Sequence, residues 1–193
     1  MARTKVFDEQ EVLKKAMQLF WNKGYNGTSA QDLVDYVGLS RSSLYDTFGD
    51  KHGLFIKALE LYRTINEAVL EDKLGHAPDV RVAIQQILMQ AVEESLARRF
   101  TQGCFMVNTT SELALHDSKV MAIVTANRNR TEVIFATAIL RGQDKGQISK
   151  IHSPTALASF LFNTYTGIRV AARSETASRD MLENIVQVAM SVL

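Results

Sequence analysis

An all-α fold is predicted for this chain by three observations. Apolar residues recur at helical spacing along most of its length, with few runs that alternate as a strand would. Only two prolines interrupt 193 residues, and polar cap residues stand directly before the periodic stretches. With 46% hydrophobic residues, a chain this long buries a full core, as one domain or as a small domain plus a larger one.

The first helix is expected from about Asp8 to Gly24, with Asp8 and Glu11 as a capping pattern and Phe7 and Val12 as a staple. Its stripe of Val12, Leu13, Ala16, Met17, Phe20 and Trp21 is core. Thr28 is expected to cap the second helix, with Gln31 returning the bond, and Gly38 to end it in the left-handed conformation. Ser40 caps the third, where Leu39 and Leu44 form a hydrophobic staple. Leu44 and Phe48 share its inward face, which leaves Arg41, Ser42, Ser43, Tyr45, Asp46 and Thr47 available to a partner.

Two helices joined by a short turn containing glycine form the unit that sets its second helix into the major groove of DNA. A helical hairpin inside an all-α core is the bland alternative. The exposed side of the third helix favours DNA, because it carries small hydroxyls and a Tyr instead of the long Glu and Lys residues of a solvated helix. Charge does not help this reading. The formal net charge is +1, and residues 1–52 hold as many Asp and Glu as Lys and Arg. Affinity must come from a few placed cations, helix N-termini and two-fold binding. The competing reading is an all-α ligand- or partner-binding protein that does not read DNA sequence.

Thr28, Asp32-Leu33-Val34, Val37-Gly38-Leu39-Ser40, Ser42-Ser43-Leu44-Tyr45, Thr47-Phe48 and Asp50-Lys51 with Leu54 resemble the N-terminal signature of TetR-family transcriptional regulators. Gly103 to Asn108 with Ser111-Glu112-Leu113 is similar to the regulatory domain of one branch of that family. Ser42 departs from the common Gly, and Thr47 from the common His or Tyr. The resemblance implies a DNA-binding repressor released from its operator by a small-molecule effector. On this reading Thr28, Tyr45, Thr47 and Lys51 contact phosphates, Arg41, Ser42 and Ser43 face base edges, and Ser40 caps the reading helix. Arg3 and Lys5 precede the first helix as an arm that either lies along DNA or has no role.

Asp50 caps a long fourth helix to about Leu74, and Gly75-His76-Ala77-Pro78 breaks the chain. Pro78 suits the first position of a fifth helix to about Arg99. Cys104 opens a short helix to about Ala114, and Asp117 caps one to about Gly142. Asn127 to Thr131 interrupts its apolar pattern, read as a solvated face in preference to cavity lining. The helix from Ser153-Pro154 carries no charge until Arg169, so most of its circumference is expected to be buried. The last, about Thr176 to Val192, has two apolar stripes, one for its own core and one for a second subunit, which places a homodimer interface within about 153–193. The domains are set at 1–50 and 51–193.

A ligand cavity is expected where the uncharged helix, the Asp117 helix and the Cys104 segment converge, with Met89, Cys104, Phe105, Phe135, Phe162 and Tyr165 as candidate lining. Cys104, the single thiol, reads either as inert core or as an electrophile sensor near a helix N-terminus, with Arg98 and Arg99 nearby. One cysteine allows no intrachain disulfide, and no apolar stretch is long enough for a signal segment or a membrane span, so a cytoplasmic protein is expected. The four histidines lack a second ligand at metal spacing, and no phosphate-binding loop occurs. No metal, nucleotide cofactor or catalytic group is implied.

Overall fold

A computed structural model describes residues 7–98 and 103–193. The basic arm with Arg3 and Lys5, together with Arg99 and the side chain of Arg98, lies outside them. Among the described residues the chain forms nine helices: α1 (Glu9–Lys23), α2 (Ala30–Val37), α3 (Arg41–Phe48), α4 (Lys51–Gly75), α5 (Val80–Arg98), α6 (Phe105–Glu112), α7 (Ser118–Asp144), α8 (Pro154–Ala171) and α9 (Arg179–Ser191).

Local cap chemistry sets most boundaries. Asp8, Ser40, Asp50, Asp117 and Ser153 each accept a backbone N–H in the first turn that follows them. Gly38 ends α2 at φ +80°, which a residue with a Cβ adopts only under strain. Two caps differ from the sequence expectation. Ser29, not Thr28, caps α2: its Oγ accepts Asp32 N–H, and Asp32 Oδ2 accepts Ser29 N–H at 2.8 Å. Pro78 stands outside α5, whose first turn is held by Asp79 Oδ1 accepting Val82 N–H at 3.0 Å. The last helix likewise begins later than Thr176, with Ser178 as its cap.

The apolar interior forms two clusters that meet along α4. Leu54, Phe55, Ala58, Leu59 and Tyr62 of α4 pack with α1 to α3, and with Phe105 of α6 and Val120 and Ile123 of α7. Leu70 and Leu74 pack instead with Val80, Ile84 and Leu88 of α5, Phe135 and Ile139 of α7, Leu161 and Ile168 of α8, and Leu182 and Val186 of α9. Helix α4 is therefore a structural member of both halves of the molecule, as is α7.

Helix α8, uncharged up to Arg169, is less enclosed than its composition suggests. Leu157, Ala158, Leu161 and Ile168 are buried, but Phe160 and Val170 are 41% and 53% exposed, because α5, α7 and α9 cover only one side of it within a single chain. On α9 the stripe Leu182, Val186, Ala189 and Leu193 is buried, while Val188 of the second stripe is 65% exposed. No helix of the described residues is long and apolar enough to cross a membrane.

Candidate nucleic-acid interface and internal cavity

The α2–α3 pair is a rigid unit, since Leu33, Val37, Leu44 and Phe48 are all buried against α1 and α4. Its outer side presents Ser40, Arg41 and Ser42 exposed, with Ser43, Tyr45, Thr47 and Lys51 half-buried. Ser40 Oγ accepts Ser43 N–H at 3.2 Å and donates to Ser43 Oγ at 2.9 Å, which fixes the first turn. The Arg41 guanidinium lies 5.9 Å from the centre of the Tyr45 ring, at the outer limit of a cation–π contact. Lys51 Nζ rests 4.2 Å over the Tyr25 ring at the start of α4, next to that helix's free N–H groups.

Thr28 is not part of this surface. It is buried, and its hydroxyl donates to Gly24 O at 2.6 Å, closing the loop between α1 and α2. Two adjacent hydroxyl residues compete for the capping role, and the one whose partner at the third position is Asp32 takes it. Lys23 donates to the same carboxylate at 2.6 Å; that contact and the Ser29 hydrogen bonds hold Asp32 far below the usual carboxylate range.

The same loop is gripped from the other half of the molecule. Glu112, the last residue of α6, accepts Asn26 N–H at 2.7 Å and Tyr25 N–H at 3.1 Å. The approach is possible because Gly24, at φ +75°, has no Cβ, which would stand 2.9 Å from Glu112 Oε2. Nearby, Trp21 Nε1 donates to Gly103 O at 3.0 Å, and His52 Nε2 meets Asp117 Oδ2 at 2.5 Å. Burial pushes Asp117 up, but the bonds from Val120 N–H and His52 outweigh it and hold the carboxyl below its ordinary value. Replacing Glu112 by Ala is expected to cost about 1–2 kcal/mol, because the Tyr25 N–H is partly buried and loses a charged acceptor. Urea denaturation compared with Glu112→Gln checks this; equal stability of Glu112→Ala and the wild type would remove the clamp.

A cavity of about 590 Å³ opens between α4, α6, α7 and α8. Its wall is mostly apolar, from Leu70, Met106, Val124 and Phe162, with Tyr62, Tyr165 and Thr131 adding polar atoms. Burial pushes the Tyr62 and Tyr165 phenols up, so both stay neutral. A second hollow of about 480 Å³ adjoins it, sharing Cys104, Val107, Ser111, Arg169 and Val170, and reaches Trp21 to Gly24 at the end of α1. Cavity wall and DNA-facing unit are thus separated by the thickness of α6.

Of the six lining candidates, Cys104, Phe162 and Tyr165 line the cavity. Met89, Phe105 and Phe135 do not: Phe105 and Phe135 are fully buried in the two clusters, and Met89 packs on the second. Cys104 is both buried and cavity-lining, with Sγ 3.6 Å from the Tyr62 hydroxyl. The polar interruption of α7 is not simply a solvated face. Asn127, Arg128 and Thr131 line the cavity, with Thr131 buried, while Asn129 and Arg130 face solvent. Arg169, the charge that breaks the neutral run of α8, is the sequence signal that marks this wall.

Residues 12–58 match the family described as bacterial regulatory proteins, tetR family, and residues 82–188 match the tetracyclin repressor-like C-terminal domain. The chain is 32% identical to the uncharacterized HTH-type transcriptional regulator YezE of Bacillus subtilis, covering 100% of both. It is 31% identical to the HTH-type transcriptional repressor ComR of Escherichia coli, over 99% of this chain and 90% of that one. A cysteine-substituted variant of the TetR family transcriptional regulator CifR, complexed with 26bp double-strand operator DNA, superposes with a TM-score of 0.82 at 28% identity over 98% of each chain. The reduced form of E. coli NemR shares the fold, with a TM-score of 0.85 at 17% identity over 95% of this chain and 96% of that one. Both family matches, one on each half, and the full-length relatives place this chain in the TetR family of bacterial transcriptional regulators.

Proposed function

We propose that this protein is a homodimeric repressor that reads a pseudo-palindromic operator and lets go when a small molecule fills the cavity. The observation that carries the proposal is α6, which lines the cavity on one side and grips the α1–α2 loop through Glu112 on the other. An occupant that displaces α6 moves the support of the reading helix. Arg41, Ser42 and Ser43 face base edges, and Tyr45, Thr47 and Lys51 contact phosphates. The uncovered apolar side of α8, with Phe160 and Val170, and Val188 of α9 supply the second subunit's seat. CifR's complex with operator DNA and the repressor name of ComR support the same reading.

Binding of the purified protein to a duplex from its own upstream region, followed from 50 to 200 mM salt, tests the proposal. Affinity should fall steeply with salt while random DNA competes poorly. Sedimentation should give a dimer at micromolar concentration. Equal affinity for every duplex, or a monomer, overturns it.

A further inference from the structure

Arg169 is the feature that the proposed release mechanism leaves unexplained. The guanidinium is buried at the cavity wall, 9% exposed, and lies 3.9 Å over the Tyr165 ring. Nη2 donates to Glu94 Oε2 at 3.2 Å, from the outer side, since the Glu94 side chain is 43% exposed. Nη1 is buried and has no acceptor. Burial opposes the charge, but a guanidinium keeps its proton at any working pH. A buried charged N–H without a partner is costly and uncommon in a folded protein.

The rest of the wall points the same way. Among the described residues lining the cavity, two are arginines and none is Asp or Glu. The second arginine, Arg128, is about half exposed, stands 5.5 Å from the Phe162 ring and pairs with Glu132. Glu132 offsets its charge, but only the Arg128 end of the pair lines the cavity, so the positive end faces the apolar chamber and favours an approaching anion.

Resting on the reading of the cavity as an effector site, we infer that the effector is an organic monocarboxylate with an apolar body. Its carboxylate accepts from the Arg169 guanidinium once Nη1, closed off from the empty cavity and without an acceptor, turns toward it, and its body lies against Leu70, Met106, Val124 and Phe162. A guanidinium fork suits a planar carboxylate, and the apolar wall has no use for a fully charged, compact anion such as inorganic phosphate. Arg128 draws the acid in without forming its seat.

The test uses the full-length protein with straight-chain saturated monocarboxylic acids of four to ten carbons, each matched with its primary amide and its alcohol. Calorimetry and thermal shift read binding; operator release is followed in parallel. The best acid should bind at least ~10-fold more tightly than its amide, the difference a charge-assisted bond makes. Arg169→Gln should bring acid and amide within about threefold of each other, and Arg169→Lys should restore part of the gap. Where Glu94, left unpaired, unfolds the single variant, Arg169→Gln with Glu94→Gln takes its place. Arg128→Gln should slow acid association while the acid-over-amide ratio stays high. Amides that bind as tightly as acids, or acids that keep their advantage in Arg169→Gln, overturn the inference and leave the cavity as a neutral effector site. Failure of acids, amides and alcohols alike overturns the inference together with the effector reading.

Discussion

Replacing Phe55 by Ala is expected to destabilise the protein by about 3–5 kcal/mol, the range for deleting a buried aromatic ring. Phe55 is fully buried at the point where three parts of the chain meet. Its ring stands edge-on to Phe20 of α1 at 5.0 Å, to Tyr25 of the α1–α2 loop at 4.9 Å and to Phe105 of α6 at 5.7 Å. Each pair adds to the simple area term. For a chain of this size the loss corresponds to a fall in midpoint of roughly 6–20 °C. Thermal and urea unfolding at one fixed protein concentration measure it, since a dimer's apparent stability depends on concentration. A loss below about 1 kcal/mol would mean that α6 and the DNA-facing unit are not joined through this ring.

Removing the Arg41 side chain is expected to have the largest effect on DNA. In a two-fold complex every substitution acts at both half-sites. One good base contact discriminates by about 1–3 kcal/mol, so Arg41→Ala should cost about 2–6 kcal/mol on the preferred operator, roughly 30-fold to 10⁴-fold. If Arg41 reads bases as proposed, selection from random DNA should then show relaxed preference at two symmetric positions. Tyr45→Phe is the contrast: loss of a phosphate contact weakens every sequence alike. An unchanged selected operator for Arg41→Ala rejects its role in reading bases.

The contrast between what the residues announce and what they hide follows from the range of the forces involved. Gly38, Ser40, Asp50 and Asp117 were legible because capping is settled within four residues of chain. Leu44 and Phe48 were legible for the same reason, as periodicity states which way a helix faces. Thr28 was misplaced by one position, because two neighbouring hydroxyls satisfy the same local rule and only the Asp32 carboxylate separates them. The cavity was harder. Periodicity gives Phe105 and Phe135 an inward face, but whether that face meets another ring or an open space depends on how α4, α6, α7 and α8 converge. Asn127, Arg128 and Thr131 looked like solvated residues for the converse reason, since a polar side chain beside a void and one beside bulk water leave the same mark on a sequence.

The membership of α4 in both apolar clusters gives it a mechanical advantage. Its 25 residues make a rod about 37 Å long. Leu74 sits deep in the second cluster, Leu70 is one turn away at the cavity wall, and Lys51 is at the opposite tip, beside α3. Pivoted at Leu74, the arm to Leu70 is about 6 Å and the arm to Lys51 about 35 Å, a gearing of nearly six to one. Were α4 to turn about Leu74 together with the cluster packed on its other half, a half-ångström push at the wall would carry the tip by about 3 Å, close to the ~3.4 Å spacing of successive bases. In the proposed dimer two such levers would swing in opposite directions, so that an adjustment too small to disturb the packing around the pivot would put both reading heads out of step with the same operator.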